Sequence, residues 1–99
     1  MDVVEVWLGT FPTPGRTIAL AQMAEADGWD GLAFTDSQSL TGDVFSALSL
    51  AAHATSRLKL ASGTTNPTTR HPAVVASAIA TVQVESEGRA VLGLSLIHI

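Results

Sequence analysis

The stretch LKLASGTTNPTTRHPAVV, residues 58–75, places a strand, a loop and a helix start in close succession. Its first residues are mostly apolar and indicate a short strand that ends at Gly63. Pro72 indicates the first turn of a helix, since proline has no N–H to leave unpaired there and its fixed φ suits a helix. The loop between them presents backbone amides, hydroxyls and the side chains of Arg70 and His71. Because α/β folds place their chemistry between the carboxyl end of a strand and the next helix, we expect a ligand to face this loop.

The rest of the chain repeats this order of strand, loop and helix. Strands are predicted at 3–8, 31–35, 58–62 and 89–94, and helices at 16–27, 43–55 and 72–86. The strands begin about 30 residues apart, which is the rhythm of βα units in a parallel sheet. The second strand is apolar without alternation, as in strands that are buried on both faces. The sequence therefore predicts an α/β fold with four parallel strands and three helices.

Two α/β architectures share this rhythm, the (β/α)8 barrel and the open doubly wound sheet. The first loop, GTFPTPG at residues 9–15, lacks the G-x-G-x-x-G fingerprint of dinucleotide-binding sheets. Doubling the four units would give about 250 residues, the usual size of a (β/α)8 barrel. We therefore interpret residues 1–94 as the N-terminal half of a (β/α)8 TIM barrel.

Each predicted helix carries apolar residues at helical spacing, and these should face the sheet. The first helix contributes Leu20, Met23 and Ala24, the second Val44, Phe45, Leu48 and Ala52, and the third Val74, Val75, Ala78, Ile79 and Val82.

The composition excludes several classes of function. The 99 residues suffice for one small domain, and with 46% hydrophobic and 14% charged residues the chain is expected to fold. A net charge of −4 argues against nucleic acid as a partner. The absence of cysteine excludes disulfides and thiolate metal sites. No apolar run approaches the roughly 20 residues that span a bilayer, and the N-terminus lacks signal-peptide features, so we expect no membrane association and a cytoplasmic location.

Three segments carry a resemblance to a known family. They are LAQMAEADGWDGLAFTD at residues 20–36, TNPTTRHPAVVA at residues 65–76 and EGRAVLGL at residues 87–94. Together they resemble the N-terminal part of the luciferase-like monooxygenase superfamily. Within it they are most similar to the branch of deazaflavin (coenzyme F-420)-dependent oxidoreductases that includes methylene-tetrahydromethanopterin reductase. The segment 65–76 is the most specific part of the resemblance.

The resemblance implies a flavin- or deazaflavin-dependent oxidoreductase that transfers hydride at a ring held at the carboxyl ends of the strands. It implies coenzyme F-420, or alternatively FMN, as the cofactor, and no metal. Gly63, Thr64, Thr65 and Asn66 fall where the family contacts the ring, with a non-prolyl cis peptide at Gly63–Thr64. Asp36, at the end of the second strand, falls where the family places a carboxylate near the pyrimidine end of the ring or the substrate, and we expect it to be the catalytic residue. The resemblance also implies a small-molecule substrate and a homo-oligomer for the full-length parent.

The sequence departs from the family pattern at two places. Several deazaflavin enzymes have a histidine directly after the carboxylate, whereas Asp36 is followed by Ser37, so a histidine-based proton transfer is not carried over. After Leu94 the family continues with a glycine-rich turn, and we interpret residues 95–99 as a foreign or truncated tail on an inactive partial chain.

Each candidate residue also has a purely structural reading. Asp36 could form a turn or cap a helix, and Asn66 could form an Asx-turn. Arg70 and His71 are interpreted first as solvated or backbone-bonded side chains. The loop of Asp36 contains no Lys or Arg, so the donor to its carboxylate is expected on the cofactor or substrate. A non-catalytic α/β fragment or binding module on the same scaffold is the alternative function.

Overall fold

The computed structural model describes residues 4–95, which form an alternating series of strands and helices. The elements are β1 (Trp7–Thr10), α1 (Thr17–Ala26), β2 (Gly31–Phe34), α2 (Val44–Ala54), β3 (Lys59–Ser62), α3 (Pro72–Glu85) and β4 (Ala90–Val91). Positions 1–3 and 96–99 lie outside the described residues, as does nearly all of the predicted tail.

The four strands form one parallel sheet in the order β1-β2-β3-β4. Each strand lies beside the strand that precedes it in the chain, so the order does not reverse within the sheet. A doubly wound sheet reverses its strand order at a switch point, whereas a (β/α)8 barrel adds its strands in sequence. The strand order therefore confirms the barrel architecture.

In the middle of β1, β2 and β3 the two faces of the sheet differ in side-chain size. One row of the register joins Leu8, Leu32, Leu60 and Ala90, which pack with the helices in the hydrophobic core. The next row joins Gly9, Ala33, Ala61 and Val91. Because neighbouring strand residues point to opposite faces, this second row faces away from the helices, on the side that becomes the interior of a barrel. We call it the inward face.

Trp7 occupies the inward face at the amino-terminal end of the sheet. Its ring lies directly over Gly31, where an added Cβ would come within 2.3 Å of the ring. The indole Nε1 donates to Glu5 Oε1 at 3.1 Å, and Lys59 forms an ion pair with the same carboxylate. Only glycine at position 31 leaves room for this ring.

The first strand begins later than predicted. The prediction placed it at 3–8, but among the described residues pairing starts at Trp7 and continues through Gly9 and Thr10. The Val6 carbonyl still accepts the backbone N–H of Asp30 at 3.0 Å, but the Val6 N–H donates to the Asp30 carboxylate at 2.8 Å, so a side chain takes the place of a backbone acceptor there. Gly9 does not end the strand, because it pairs with Ala33 in regular register.

The fourth strand is shorter than predicted and ends at Val91. Pairing resumes only as an isolated bridge between Leu94 and Thr65. Between these points the Ser62 side chain, and not the backbone of β3, bonds to the backbone of Gly93. The side chain interrupts the regular pairing of the two strands.

The helix faces agree with the prediction for α2 and in part for the others. All four residues predicted for α2 are buried. Met23 on α1 and Val74 on α3 were predicted to face the sheet but are 47% and 55% exposed, so these two assignments were wrong. In α1 the contact with the core is made instead by Ala21 and Ala24, whose small side chains let the helix lie close to its neighbours.

The amino-terminal end of the sheet is closed by two charged side chains. The Glu25 carboxylate accepts the backbone N–H groups of Ser56, Arg57 and Leu58 at 2.7–3.0 Å, which joins α1 to the turn before β3. Burial alone would raise the pKa of Glu25, but these hydrogen bonds and the charge of Arg57 hold it below its usual value.

Arg89 plays the corresponding part at the turn between α3 and β4. Its guanidinium donates to the carbonyl oxygens of Ala52, Thr55, Leu58 and Ser86 at 2.7–3.1 Å. These carbonyls lie at the end of α2, before β3 and after α3. One side chain thus joins two chain reversals, the one between α2 and β3 and the one between α3 and β4.

Candidate functional site

A cleft of ≈ 580 Å³ opens at the carboxyl ends of the strands. It is lined by Asp36, Ser37, Gln38, Leu40, Thr64, Thr65, Asn66 and Ser95. Four of the five predicted site residues are in this list, and the fifth, Gly63, is adjacent to Thr64. The loops after β2 and β3 form its walls, as the positions of the predicted residues require.

Asp36 lies at the base of the cleft, with its side chain only 2% exposed. Its Oδ2 accepts from Thr65 Oγ1 at 2.5 Å and from an Arg70 guanidinium nitrogen at 2.6 Å. Its Oδ1 accepts from Gln38 Nε2 at 2.6 Å. The expectation that the donor to Asp36 would come only from the cofactor or substrate is wrong, because Arg70 reaches across from the next loop.

Arg70 joins the two loops of the cleft. Besides Asp36, its guanidinium binds Asp43 Oδ1 at 2.9 Å, and it lies 5.0 Å from the centroid of the Phe45 ring. The hydrogen bond with Asp36 is the main reason why the pKa of Arg70 is raised, and that with Asp43 adds to it. The interpretation of Arg70 as a solvated or backbone-bonded side chain was therefore wrong.

Asp43 has a second role as the N-cap of α2. Its Oδ2 accepts from both the N–H and the hydroxyl of Ser46 at 2.8 Å. Burial would raise the pKa of Asp43, but the bonds from Ser46 and Arg70 hold it below its usual value. The carboxylate is thus held ionised at the start of the helix, where a negative charge is also favoured by the helix dipole.

The Gly63–Thr64 peptide bond is cis, as the family resemblance implies. The N–H of Gly63 donates to the Phe34 carbonyl at 2.7 Å, which ties the start of the loop to β2. A Cβ added to Gly63 would lie 3.0 Å from the Cβ of Ala33, so the chain approaches its neighbour closely here. Both Gly63 and Thr64 are exposed on the cleft side of the sheet.

Ser62 and Gly93 hold the opposite side of the same loop. The buried Ser62 hydroxyl donates to the Gly93 carbonyl at 2.9 Å and accepts its N–H at 3.0 Å. The Thr65 N–H donates to the same carbonyl, and the Thr65 carbonyl accepts from the Ser95 N–H, both at 2.9 Å. Sequence analysis did not single out this pair. The sequence feature that could have indicated this contact is a serine at the end of the apolar strand β3 together with a glycine shortly after the next strand, β4.

Asn66 forms the Asx-turn that sequence analysis left open. Its Oδ1 accepts from the N–H groups of Thr68 and Thr69 at 3.1 and 3.0 Å and from the Thr68 hydroxyl at 2.7 Å. Its contact with a cofactor stays a prediction. His71 caps α3, since its Nδ1 accepts from the Ala73 N–H at 3.0 Å.

The inward face beside the cleft has the shape that a flat ring requires. Gly9, Ala33, Ala61 and Gly63 present almost no side chain there, and a Cβ added to Gly9 would meet nothing within 4 Å. Ring sites combine an apolar surface with a few polar groups, and here the polar groups are those of Asp36 and residues 64–66. The residues present therefore fit a planar ring cofactor.

Two features are absent from the described residues. Within residues 4–95 no group of His, Asp and Glu side chains is arranged to hold a metal ion. In the same part of the chain no helix has the length and apolar character needed to cross a membrane.

Comparisons with known proteins agree with this geometry. The model of the family described as luciferase-like monooxygenase matches residues 2–95. The 5,10-methylenetetrahydromethanopterin reductase of Methanolobus tindarius is 43% identical over 74 residues, which are 75% of this chain and 22% of the reductase. The chain thus spans about a fifth of the length of this relative.

Two solved structures show the similarity in three dimensions. The coenzyme F-420-dependent tetrahydromethanopterin reductase of Methanopyrus kandleri superposes with a TM-score of 0.81 at 36% identity, over 95% of this chain and 27% of that one. The oxygenating constituent of 3,6-diketocamphane monooxygenase from Pseudomonas putida, solved with FMN, has a TM-score of 0.83 at 23% identity, over 98% of this chain and 30% of that one. The second likeness concerns the fold alone. With the family model matched over residues 2–95 and the barrel strand order in place, the chain belongs to the luciferase-like monooxygenase family.

Proposed function

We propose that the chain forms the N-terminal half of a (β/α)8 oxidoreductase that binds coenzyme F-420, with FMN as the alternative, and transfers hydride to or from a small molecule. The choice of coenzyme F-420 is supported by the 36% identical reductase from Methanopyrus kandleri, whose name states its dependence on it. The relatives' greater length supports the proposal that the inward face is completed by further strands.

The observation that carries the proposal is the combination of small residues on the inward face of β1, β2 and β3, towards their carboxyl ends, with the polar cleft at those ends. Gly9, Ala33 and Gly63 leave a surface without long side chains, and the cleft of ≈ 580 Å³ begins at its edge. Hydride transfer is the chemistry that a deazaflavin or flavin supplies when bound, and the protein's part is to orient the ring and exclude water.

Each site residue has a distinct part in this proposal. Gly63 and Thr64 would support one face of the ring, and Thr65 and Asn66 would bound its edge. Asp36 is the proposed catalytic residue, acting on substrate through Oδ1, which is bonded to the exposed side chain of Gln38. A substrate donor that replaces Gln38 would meet a carboxylate already oriented by Arg70.

A glycine variant tests the proposed ring surface. In the full-length protein that carries this chain, Gly9→Leu should weaken binding of the ring about tenfold or more, because the new side chain occupies the surface where the ring would lie. Fluorescence titration with coenzyme F-420 and, separately, with FMN measures the affinity. The matched control is Ala80→Leu on the exposed side of α3, which should leave both affinities unchanged.

The result also separates an oxidoreductase from a non-catalytic module. Tight binding of coenzyme F-420 together with reduction of the bound ring by a small-molecule donor supports the enzyme. If the wild-type protein binds neither ring, or if Gly9→Leu binds as tightly as wild type, the proposed ring site is wrong.

A further inference from the structure

The ion pairs of Arg70 are more buried and have more hydrogen bonds than an ordinary surface ion pair. Its guanidinium is 17% exposed and the Asp36 side chain 2% exposed, so both groups are largely withdrawn from water. One guanidinium nitrogen donates to Asp36 Oδ2 at 2.6 Å and to Thr65 Oγ1 at 3.3 Å. The other donates to Asp43 Oδ1 at 2.9 Å.

The shape of the guanidinium matters to this arrangement. A planar fork with fixed donor directions can meet two carboxylates and a hydroxyl at once, whereas a lysine ammonium provides a single point of charge. The Arg70 Cζ lies over the Phe45 ring, 5.0 Å from its centroid, within the range of a cation–π contact. Arg70 therefore has a defined position and a defined orientation.

Its partners lie on both loops that form the cleft. Asp36 belongs to the loop after β2, Asp43 begins α2, and Thr65 belongs to the loop after β3. The Thr65 hydroxyl is held between Asp36 and Arg70, while its backbone is bonded to Gly93 and Ser95. If Arg70 were absent, Asp36 would lose its only cationic partner among the described residues. The Thr65 side chain would lose one of its two hydrogen-bond partners.

We propose that Arg70 is a positioning residue of the ring site, acting through Asp36 and Thr65 to fix the edge of the cleft at residues 64–66. Arg70 does not itself line the cleft of ≈ 580 Å³. It lines a smaller cavity of ≈ 170 Å³ that shares Asp36 and Gln38 with the cleft. We therefore assign its effect on a ligand in the cleft to the side chains that it holds. The inference rests on the proposed function only in that a ring cofactor is the first ligand used to detect it.

A double-mutant cycle in the full-length protein tests the proposal. Arg70→Gln should weaken binding of coenzyme F-420 about tenfold, and Arg70→Lys should recover part of the loss. Because both groups act as one unit, Arg70→Gln combined with Asp36→Asn should lose much less than the product of the two single effects. Visible circular dichroism of the bound ring should change in Arg70→Gln, since the ring then meets an altered edge.

The matched control is Arg57→Gln at the other end of the sheet. Arg57 donates to the Trp29 carbonyl at 3.2 Å and to the Glu25 carbonyl, so its loss should lower stability without changing the dichroism or the affinity. If Arg70→Gln behaves like Arg57→Gln, with a lower melting temperature and an unchanged ring site, then Arg70 is only structural and the proposal is wrong. Multiplicative single effects in the cycle would also contradict it.

A second measurement keeps the test independent of ring binding. The Thr65 N–H is bonded to the Gly93 carbonyl, so its hydrogen exchange reports how firmly the cleft edge is held. Arg70→Gln should speed exchange at Thr65 and leave the Leu58 N–H, which is bonded to Glu25, unaffected. Unchanged exchange at Thr65 would contradict the proposal that Arg70 fixes the cleft edge. A wild-type protein that binds neither ring would instead contradict the proposed function, and the exchange result would still stand.

Discussion

The two ends of the sheet each carry a carboxylate and an arginine, but they use them differently. At the amino-terminal end, Glu25 accepts three backbone N–H groups, and Arg89 donates to four backbone carbonyls. At the carboxyl-terminal end, Asp36 and Arg70 bind each other and the side chains of Thr65 and Asp43. At the amino-terminal end the charged side chains bind backbone groups, and at the carboxyl-terminal end they bind and orient other side chains.

This difference predicts that residues at one end of the strands affect stability and residues at the other end affect ligand binding. A charged group that satisfies several backbone groups leaves them unpaired when it is removed, and the cost falls on folding. A charged group that holds other side chains around an open cleft determines where those side chains can meet a ligand. We therefore expect substitutions at the amino-terminal end to change unfolding and those at the carboxyl-terminal end to change binding and turnover.

The largest effect is expected from Arg89→Met. The substitution keeps an apolar stem but leaves four carbonyl groups without their donor, and it should lower the free energy of unfolding by about 3 kcal/mol or more. Urea denaturation of the full-length protein measures this loss. Ring affinity in the folded fraction should equal that of wild type, and a weaker affinity would break the proposed division between the two ends.

The next effect is that of Asp36→Asn. If Asp36 is catalytic, turnover should fall on the order of 100-fold, because the amide cannot accept a proton. The variant also leaves Arg70 with Asp43 as its remaining carboxylate, so the melting temperature should fall slightly. Steady-state kinetics and a melting curve on this variant decide the matter. If turnover equals that of wild type while the melting temperature is lower, then Asp36 has only a structural role.

The smallest effect is expected from Glu25→Gln, and it depends on pH. The pKa of Glu25 is held below its usual value of 4.5 in the folded chain, so its ionised form stabilises folding above that pH. This contribution is lost as the pH falls from 4.5 through the folded pKa, where the carboxyl takes up a proton. Glu25→Gln should cost about 1 kcal/mol at pH 7 and nearly nothing in acid.

Urea titrations at pH 7 and at pH 3 test this sign. The stability difference between wild type and Glu25→Gln should shrink at the lower pH. A difference that is the same at both pH values would mean that the shape of the side chain matters at this position and its charge does not.

Local signals in the sequence were sufficient to predict the order of elements. Pro72 starts α3 and Gly28 follows α1, as their backbone preferences require. The start of β1 was misplaced because Asp30, distant in sequence, bonds the N–H of Val6. Met23 was misassigned because alanines make the close helix contact. These errors arise from tertiary contacts that periodicity does not contain.

The candidate site was predictable as a list of residues but not as a set of contacts. Residues 63–66 and Asp36 could be found because strand ends and a family motif indicate them. The ion pair between Asp36 and Arg70 spans 34 positions and joins two loops, so no local pattern indicates it. The Ser62–Gly93 contact spans 31 positions and escaped prediction for the same reason.

The placement of Trp7 over Gly31 makes this tryptophan an intrinsic fluorescent probe of the inward face. Its indole lies on the inward face, next to Glu5 and Lys59, whereas Trp29, the second tryptophan of the chain, packs partly against the hydrophobic core behind the sheet. Indole emission depends on the polarity around the ring. Replacing Trp29 with phenylalanine would therefore leave Trp7 as the single tryptophan of this chain. Its emission wavelength would report whether water or protein covers the inward face.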